Sequence, residues 1–66
     1  MVKMIKFSKG NNHTVQMWLV EGKYSVAVID EMTNKCVFGD TNLTEEEADI
    51  LYNKKCFEYG IYEEGK

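Results

Sequence analysis

The stretch His13-Thr14-Val15-Gln16-Met17-Trp18-Leu19-Val20-Glu21-Gly22-Lys23-Tyr24-Ser25-Val26-Ala27-Val28-Ile29-Asp30 decides the fold. From His13 to Glu21, Val15, Met17 and Leu19 alternate with Gln16, Trp18 and Val20. From Tyr24 to Asp30, Tyr24, Val26 and Val28 alternate with Ser25, Ala27 and Ile29. A period of two in β-branched and aromatic residues, broken by Gly22 in a tight connection, is the pattern of an antiparallel hairpin. A two-residue loop at Glu21-Gly22 or at Gly22-Lys23 gives the same cross-strand parity. Val15, Met17 and Leu19 then share a face with Tyr24, Val26 and Val28. That set is apolar apart from one hydroxyl, and it is the predicted core. Trp18, Val20, Ala27 and Ile29 share the other face with Gln16 and Ser25. A loop of three residues would exchange the faces, because one residue of slip turns every side chain over.

Outward from the hairpin, Val2 to Phe7 is short and β-rich and reads as a first strand. Ser8-Lys9-Gly10-Asn11-Asn12 reads as a turn, since Gly and Asn tolerate positive φ. After the hairpin, Glu31 to Lys35 reads as a second turn. Cys36-Val37-Phe38 is a short fourth strand closed by Gly39-Asp40, its facing left open by the unknown loop length.

Leu43-Thr44-Glu45-Glu46-Glu47-Ala48 has the form of a helix start. Thr44 is the N-cap, Glu47 completes a capping box, and the three glutamates sit at the positive end of the helix dipole. Gly60 suits the left-handed position after a helix, with Ile61 supplying the apolar contact that follows it. A helix to Tyr59 places Ala48, Leu51, Tyr52, Cys56 and Tyr59 on one stripe, with Lys55 inside it and Ile50 and Phe57 opposite. The competing reading ends the helix near Lys54 and makes Cys56 to Tyr62 a fifth strand. The longer helix is preferred, because Lys55 can lay its stem along the sheet and keep its ammonium in water. The expectation is an α+β fold: a four-stranded antiparallel β-meander followed by one C-terminal helix packed on one sheet face.

The chain has 66 residues of uniform composition, which fits one small domain spanning 1–66. No apolar run approaches the ~18–20 residues of a membrane span. Lys3 and Lys6 interrupt the N-terminal apolar residues, so no cleavable signal pattern is read. There are 8 Lys, no Arg, 11 acidic residues and 2 Cys, with a net charge of −3. Two cysteines fall short of a secreted disulfide framework, so free thiols and a cytoplasmic location are expected. Residues 1–30 carry +2 and residues 31–66 carry −5. An acidic C-terminal half repels phosphate backbones and suits a basic protein surface, although solubility alone also favours a net charge.

Candidate chemistry is sparse. His13, Cys36 and Cys56 are too scattered for a zinc site of about four ligands, and no metal or cofactor is expected. No glycine elbow or oxyanion loop accompanies the cysteines, which read as packing residues. The glycines are isolated, with no phosphate-binding fingerprint. Glu45, Glu46 and Asp49 form an acidic patch at the helix start. Capping and dipole pairing account for the helix-start acids as a group, and the functional alternative is an anionic surface that mimics phosphates or engages a basic groove. Lys3, Lys6 and Lys9 near Phe7, Trp18 and Tyr24 would suit single-stranded bases, but the missing Arg and the parity separating Trp18 from Tyr24 weigh against nucleic acid.

One helix covers one face of a sheet. The other face then exposes Trp18, Val20, Ala27 and Ile29, with Met4 or Phe38 as further members. Such a face calls for cover by a protein partner, and a homodimer is the simplest. In style this short, Arg-free, Lys-, Asn- and Ile-rich chain with its dense acidic helix resembles small phage or mobile-element proteins of low-GC bacteria. These include inhibitors of host enzymes and of defence complexes, among them anti-CRISPR-like and other anti-defence proteins. The resemblance rests on composition, covers no motif and assigns no residue. The expected function is a non-enzymatic protein-interaction module acting through the acidic helix start and the aromatic sheet face. The alternative is a binder of a small ligand, nucleotide or single strand.

Overall fold

Among the described residues, four antiparallel strands form one sheet in the order β1-β2-β3-β4, followed by a single helix. The computed structural model describes residues 1–61. The elements are β1 (Val2–Gly10), β2 (His13–Val20), β3 (Lys23–Asp30), β4 (Lys35–Leu43) and α1 (Glu45–Glu58). The Cα trace fills a slab of 30 × 29 × 17 Å, the thickness of one sheet and one helix layer.

The central hairpin has the expected register. Leu19 pairs with Tyr24, Met17 with Val26 and Val15 with Val28, around a Glu21-Gly22 loop. Both loop residues have positive φ, 50° and 82°, as do Asn11 (49°) and Asn12 (61°) in the β1–β2 loop. Two consecutive left-handed residues make the turn whose twist matches that of paired strands. Asn11 and Asn12 therefore complete the first turn alone. Ser8, Lys9 and Gly10, read from sequence as turn, stay in the ladder opposite Val15, Thr14 and His13.

The fourth strand is also longer than Cys36–Phe38. It runs through Gly39 and Asp40 to Leu43, with irregularities at Val37 and at Thr41-Asn42, where Asn42 has φ 60°. An edge strand accommodates such bulges because only one of its sides is paired.

Thr44 caps the helix as expected: its hydroxyl accepts from Glu47 N at 3.1 Å, and Glu47 Oε1 accepts from Thr44 N at 3.0 Å. The helix continues past Lys54, so Cys56 to Glu58 are helical rather than the start of a fifth strand; Tyr62 lies outside the described residues. It closes with Gly60 at φ 69°, where Gly60 N donates to Phe57 O (3.2 Å) and Ile61 N to Cys56 O (2.8 Å). This paired closure turns Ile61 back into the core.

The core lies between helix and sheet: Val15, Met17, Val26 and Val28 beneath Ala48, Tyr52, Cys56 and Ile61. Phe38 packs against this cluster from the helix side, which settles its facing. Lys55 is half-buried, with Nζ 4.1 Å above the Phe38 ring and 3.0 Å from Glu58 Oε1, so its stem lies on the sheet and its charge is paired.

Candidate functional site

Alternation along β2 and β3 turns Gln16, Trp18, Val20, Ser25, Ala27 and Ile29 away from the helix. All are half-buried by their strand neighbours, and none belongs to the core cluster. The face has a row structure. Met4, Trp18 and Ser25 lie side by side across β1, β2 and β3. Phe7, Gln16, Ala27 and Gly39 form the next row across all four strands. The indole N–H of Trp18 donates to Gln16 Oε1 at 2.9 Å, so its polar atom is satisfied within the face.

A bulge in β1 shapes this surface. Met4 pairs with Trp18 and Lys6 with Met17, so Ile5 is an extra residue. Strict alternation would have put Phe7 under the helix and left Lys6 and Ser8 on the open side. With the bulge, Phe7 joins the open face, 57% exposed. Lys6 and Ser8 turn under the helix. There Lys6 Nζ pairs with Asp49 at 3.0 Å and lies 4.6 Å from the Tyr52 ring centroid.

Lysines and aromatics are thereby sorted to opposite sides. Lys3 and Lys6 share the helix-side face with Leu19 and Met17, and Tyr24 lies there too. At one end of the open face stand Lys9 and Glu31, 3.7 Å apart, with Glu31 Oε2 also accepting from the buried Thr14 Oγ1 at 2.7 Å, and at the other end stands Lys23 at the start of β3. The interior of the open face carries no ionised side chain among the described residues.

The acidic patch sits on the helix layer, across the sheet from Trp18. Glu45 and Glu46 are exposed in the first turn, Glu47 is engaged in the cap, and Asp49 is engaged by Lys6. The two expected surfaces therefore do not merge into one. His13 also points to the helix side: its Nδ1 is 2.8 Å from Asn11 O, and its ring centroid is 4.6 Å from that of Tyr59. Cys36 lies on the open face with Sγ 3.1 Å from Phe38 O, and Cys56 is buried in the core. Cys36 and Cys56 form no disulfide. Among the described residues, no group of three or more His, Cys, Asp or Glu is placed to hold a metal ion, and no helix is long and apolar enough to cross a membrane.

Alternation in the sequence puts Trp18, Val20, Ala27 and Ile29 on this face, where they lie, but puts neither Phe7 nor Gly39 there. Alternation alone carries no mark of a bulge, and Gly39-Asp40 has the composition of a strand end. Comparison with protein-family models, curated proteins and solved structures finds no match to this chain.

Proposed function

We propose that this chain is a non-enzymatic protein-interaction module whose open sheet face, built on Trp18, Val20, Ala27 and Ile29, is its protein-binding surface. The observation that carries this reading is the sorting of side chains. Met4, Phe7 and Trp18 lie on a face without interior charge, while Lys3 and Lys6 are turned to the other side. A surface for single-stranded nucleic acid needs aromatics and cations together. Protein interfaces favour aromatics and Met and keep charge at the rim; here Trp18 stands on the inner strand β2, Met4 and Phe7 flank it on β1, and Lys9 and Lys23 stand at strand ends.

Both sheet edges disfavour strand addition: β1 carries Lys3, Lys6, Lys9 and a bulge, and β4 two irregularities. The face, rather than an edge, is then the docking element. The exposed Glu45 and Glu46 supply a second, separate surface for a basic partner. A small rigid slab of this kind acts by occlusion, which is how an inhibitor of a host enzyme or defence complex would work. Two cysteines that form no disulfide suit a cytoplasmic setting.

The test is Ala27→Arg, which sets a guanidinium in the middle of the face. Wild type should bind a protein, itself or another, and the variant should lose it while melting within a few degrees of wild type. Equal binding by both proteins, or retention of oligonucleotides alone, overturns the reading.

A further inference from the structure

We infer that the protein seated on the open face is a second copy of this chain, packed sheet to sheet about a two-fold axis parallel to the strands; this rests on the protein-binding reading above. Bulk is divided unevenly over the face. In its two central rows the β1–β2 half carries a ridge of Met4, Phe7 and Trp18 and the β3–β4 half a trough of Ser25, Ala27 and Gly39, while in the row beyond them Ile29 of β3 pairs with Thr14 of β2. A two-fold axis between β2 and β3, along the strands, lays each copy's ridge over the other's trough. Because the rotation preserves position along the axis, residues of one row meet. Trp18 of one protomer then stands over Ser25 of its partner, and Phe7 over Gly39. A two-fold axis across the strands would set Trp18 on Trp18 and leave trough over trough. The face is thus complementary to itself in one orientation, as an isologous interface requires.

Size and charge agree. Strands of eight or nine residues, at about 3.3 Å per residue and about 4.8 Å between strands, give a footprint of roughly 500 Å² per copy. A pair covers about 1,000 Å², the lower bound for a biological interface. Lys9 and Glu31, paired with each other, and Lys23 all stand at strand ends, so no ionised group lies at the centre. Aligned sheet packing accommodates the twist of each sheet.

The experiment is a charge exchange read by light scattering over a range of concentrations. Wild type should approach twice its 7.7 kDa mass. Trp18→Lys and Ser25→Asp should each be monomeric, with self-association weakened at least tenfold. Their equimolar mixture should dimerise again, because the new Lys of one protomer meets the new Asp of the other while the second Trp18–Ser25 contact stays intact. Gly39→Phe is the independent variant. A Cβ there meets only Cys36 Sγ at 3.7 Å, so the monomer folds, but the ring blocks the partner's Phe7. Wild type that stays monomeric overturns this inference alone; the reading beneath it falls only with the Ala27→Arg capture result. A dimer that survives Gly39→Phe, or single variants that dissociate without rescue on mixing, also overturns the packing.

Discussion

The hydroxyls of Ser8 and Tyr52 lie 2.7 Å apart across the seam between β1 and α1. The bulge at Ile5 makes this possible, since without it Ser8 would face the opposite side of the sheet. Tyr52 is 1% exposed, and its ring fills the core beneath the helix. Tyr52→Phe keeps the ring and removes one buried hydroxyl. It should cost about 1 kcal/mol, the net worth of a hydrogen bond. Tyr52→Ala should cost about 3–5 kcal/mol through the cavity, enough to unfold much of a domain this small. Urea denaturation of the two variants separates the contributions, and a neutral Tyr52→Phe would show that the hydroxyl pair adds nothing.

Thr44 and Glu47 satisfy each other's backbone N–H groups at the helix start. Thr44→Ala removes the acceptor for Glu47 N and should lower stability by about 1 kcal/mol. Thr44→Ser should restore most of it, because the hydroxyl is what the cap uses. A denaturation midpoint indifferent to Thr44→Ala would mean that the cap does not hold the helix.

Gly60 is the tightest glycine among the described residues. Its φ is 69°, and a Cβ there would stand 2.6 Å from Asn11 Nδ2. That amide donates to Tyr59 O at 2.8 Å and Gly60 O at 3.1 Å, tying the first hairpin to the end of the helix. Gly60→Ala should therefore cost more than the roughly 1–2 kcal/mol of a left-handed alanine, because Asn11 must also withdraw. Gly39→Ala, whose Cβ would make only an ordinary contact with Cys36 Sγ at 3.7 Å, is the control and should change the melting temperature little. Equal melting of the two variants would contradict the tie.

Glu21 holds φ 50° at the β2–β3 turn, a conformation that suits Asn or Gly better than Glu. Its side chain pairs with the N-terminal ammonium, but both groups are well exposed, so that pair is worth little. Glu21→Asn should raise stability by about 0.5–1 kcal/mol. A fall in the melting temperature would show that the ion pair outweighs the backbone.

The legible parts of this fold are those in which local chemistry and tertiary packing coincide. The hairpin register followed from Val15, Met17 and Leu19 opposing Tyr24, Val26 and Val28, because one buried face admits a single register. The helix ends followed from Thr44, Glu47, Gly60 and Ile61, whose roles are fixed within a few residues. Bulges depend on the partner strand, so they leave no such local mark. The insertion at Ile5 put Phe7 on the open face, and β4 passed through Gly39-Asp40 instead of stopping there. The same limit applies to the acidic patch. Glu45, Glu46 and Asp49 are adjacent in sequence, yet only the assembled layers place them across the sheet from Trp18, with Asp49 already held by Lys6.

Trp18 separates association from folding. It is half-buried, lies outside the core cluster, and its truncation opens no cavity beneath the helix. The lost indole contact leaves Gln16 with access to water. In dilute protein, Trp18→Ala should shift the denaturation midpoint by less than about 1 kcal/mol. Self-association or partner binding should fall at least tenfold, since a large aromatic at the centre of an interface carries a disproportionate share of its energy. Binding that favours the folded state also makes melting depend on concentration. The wild-type melting temperature should therefore rise with loading, and that of Trp18→Ala should stay flat. Light scattering and melting at matched concentrations decide it: an unchanged mass with a large drop in melting temperature would place Trp18 among the residues that hold the monomer together.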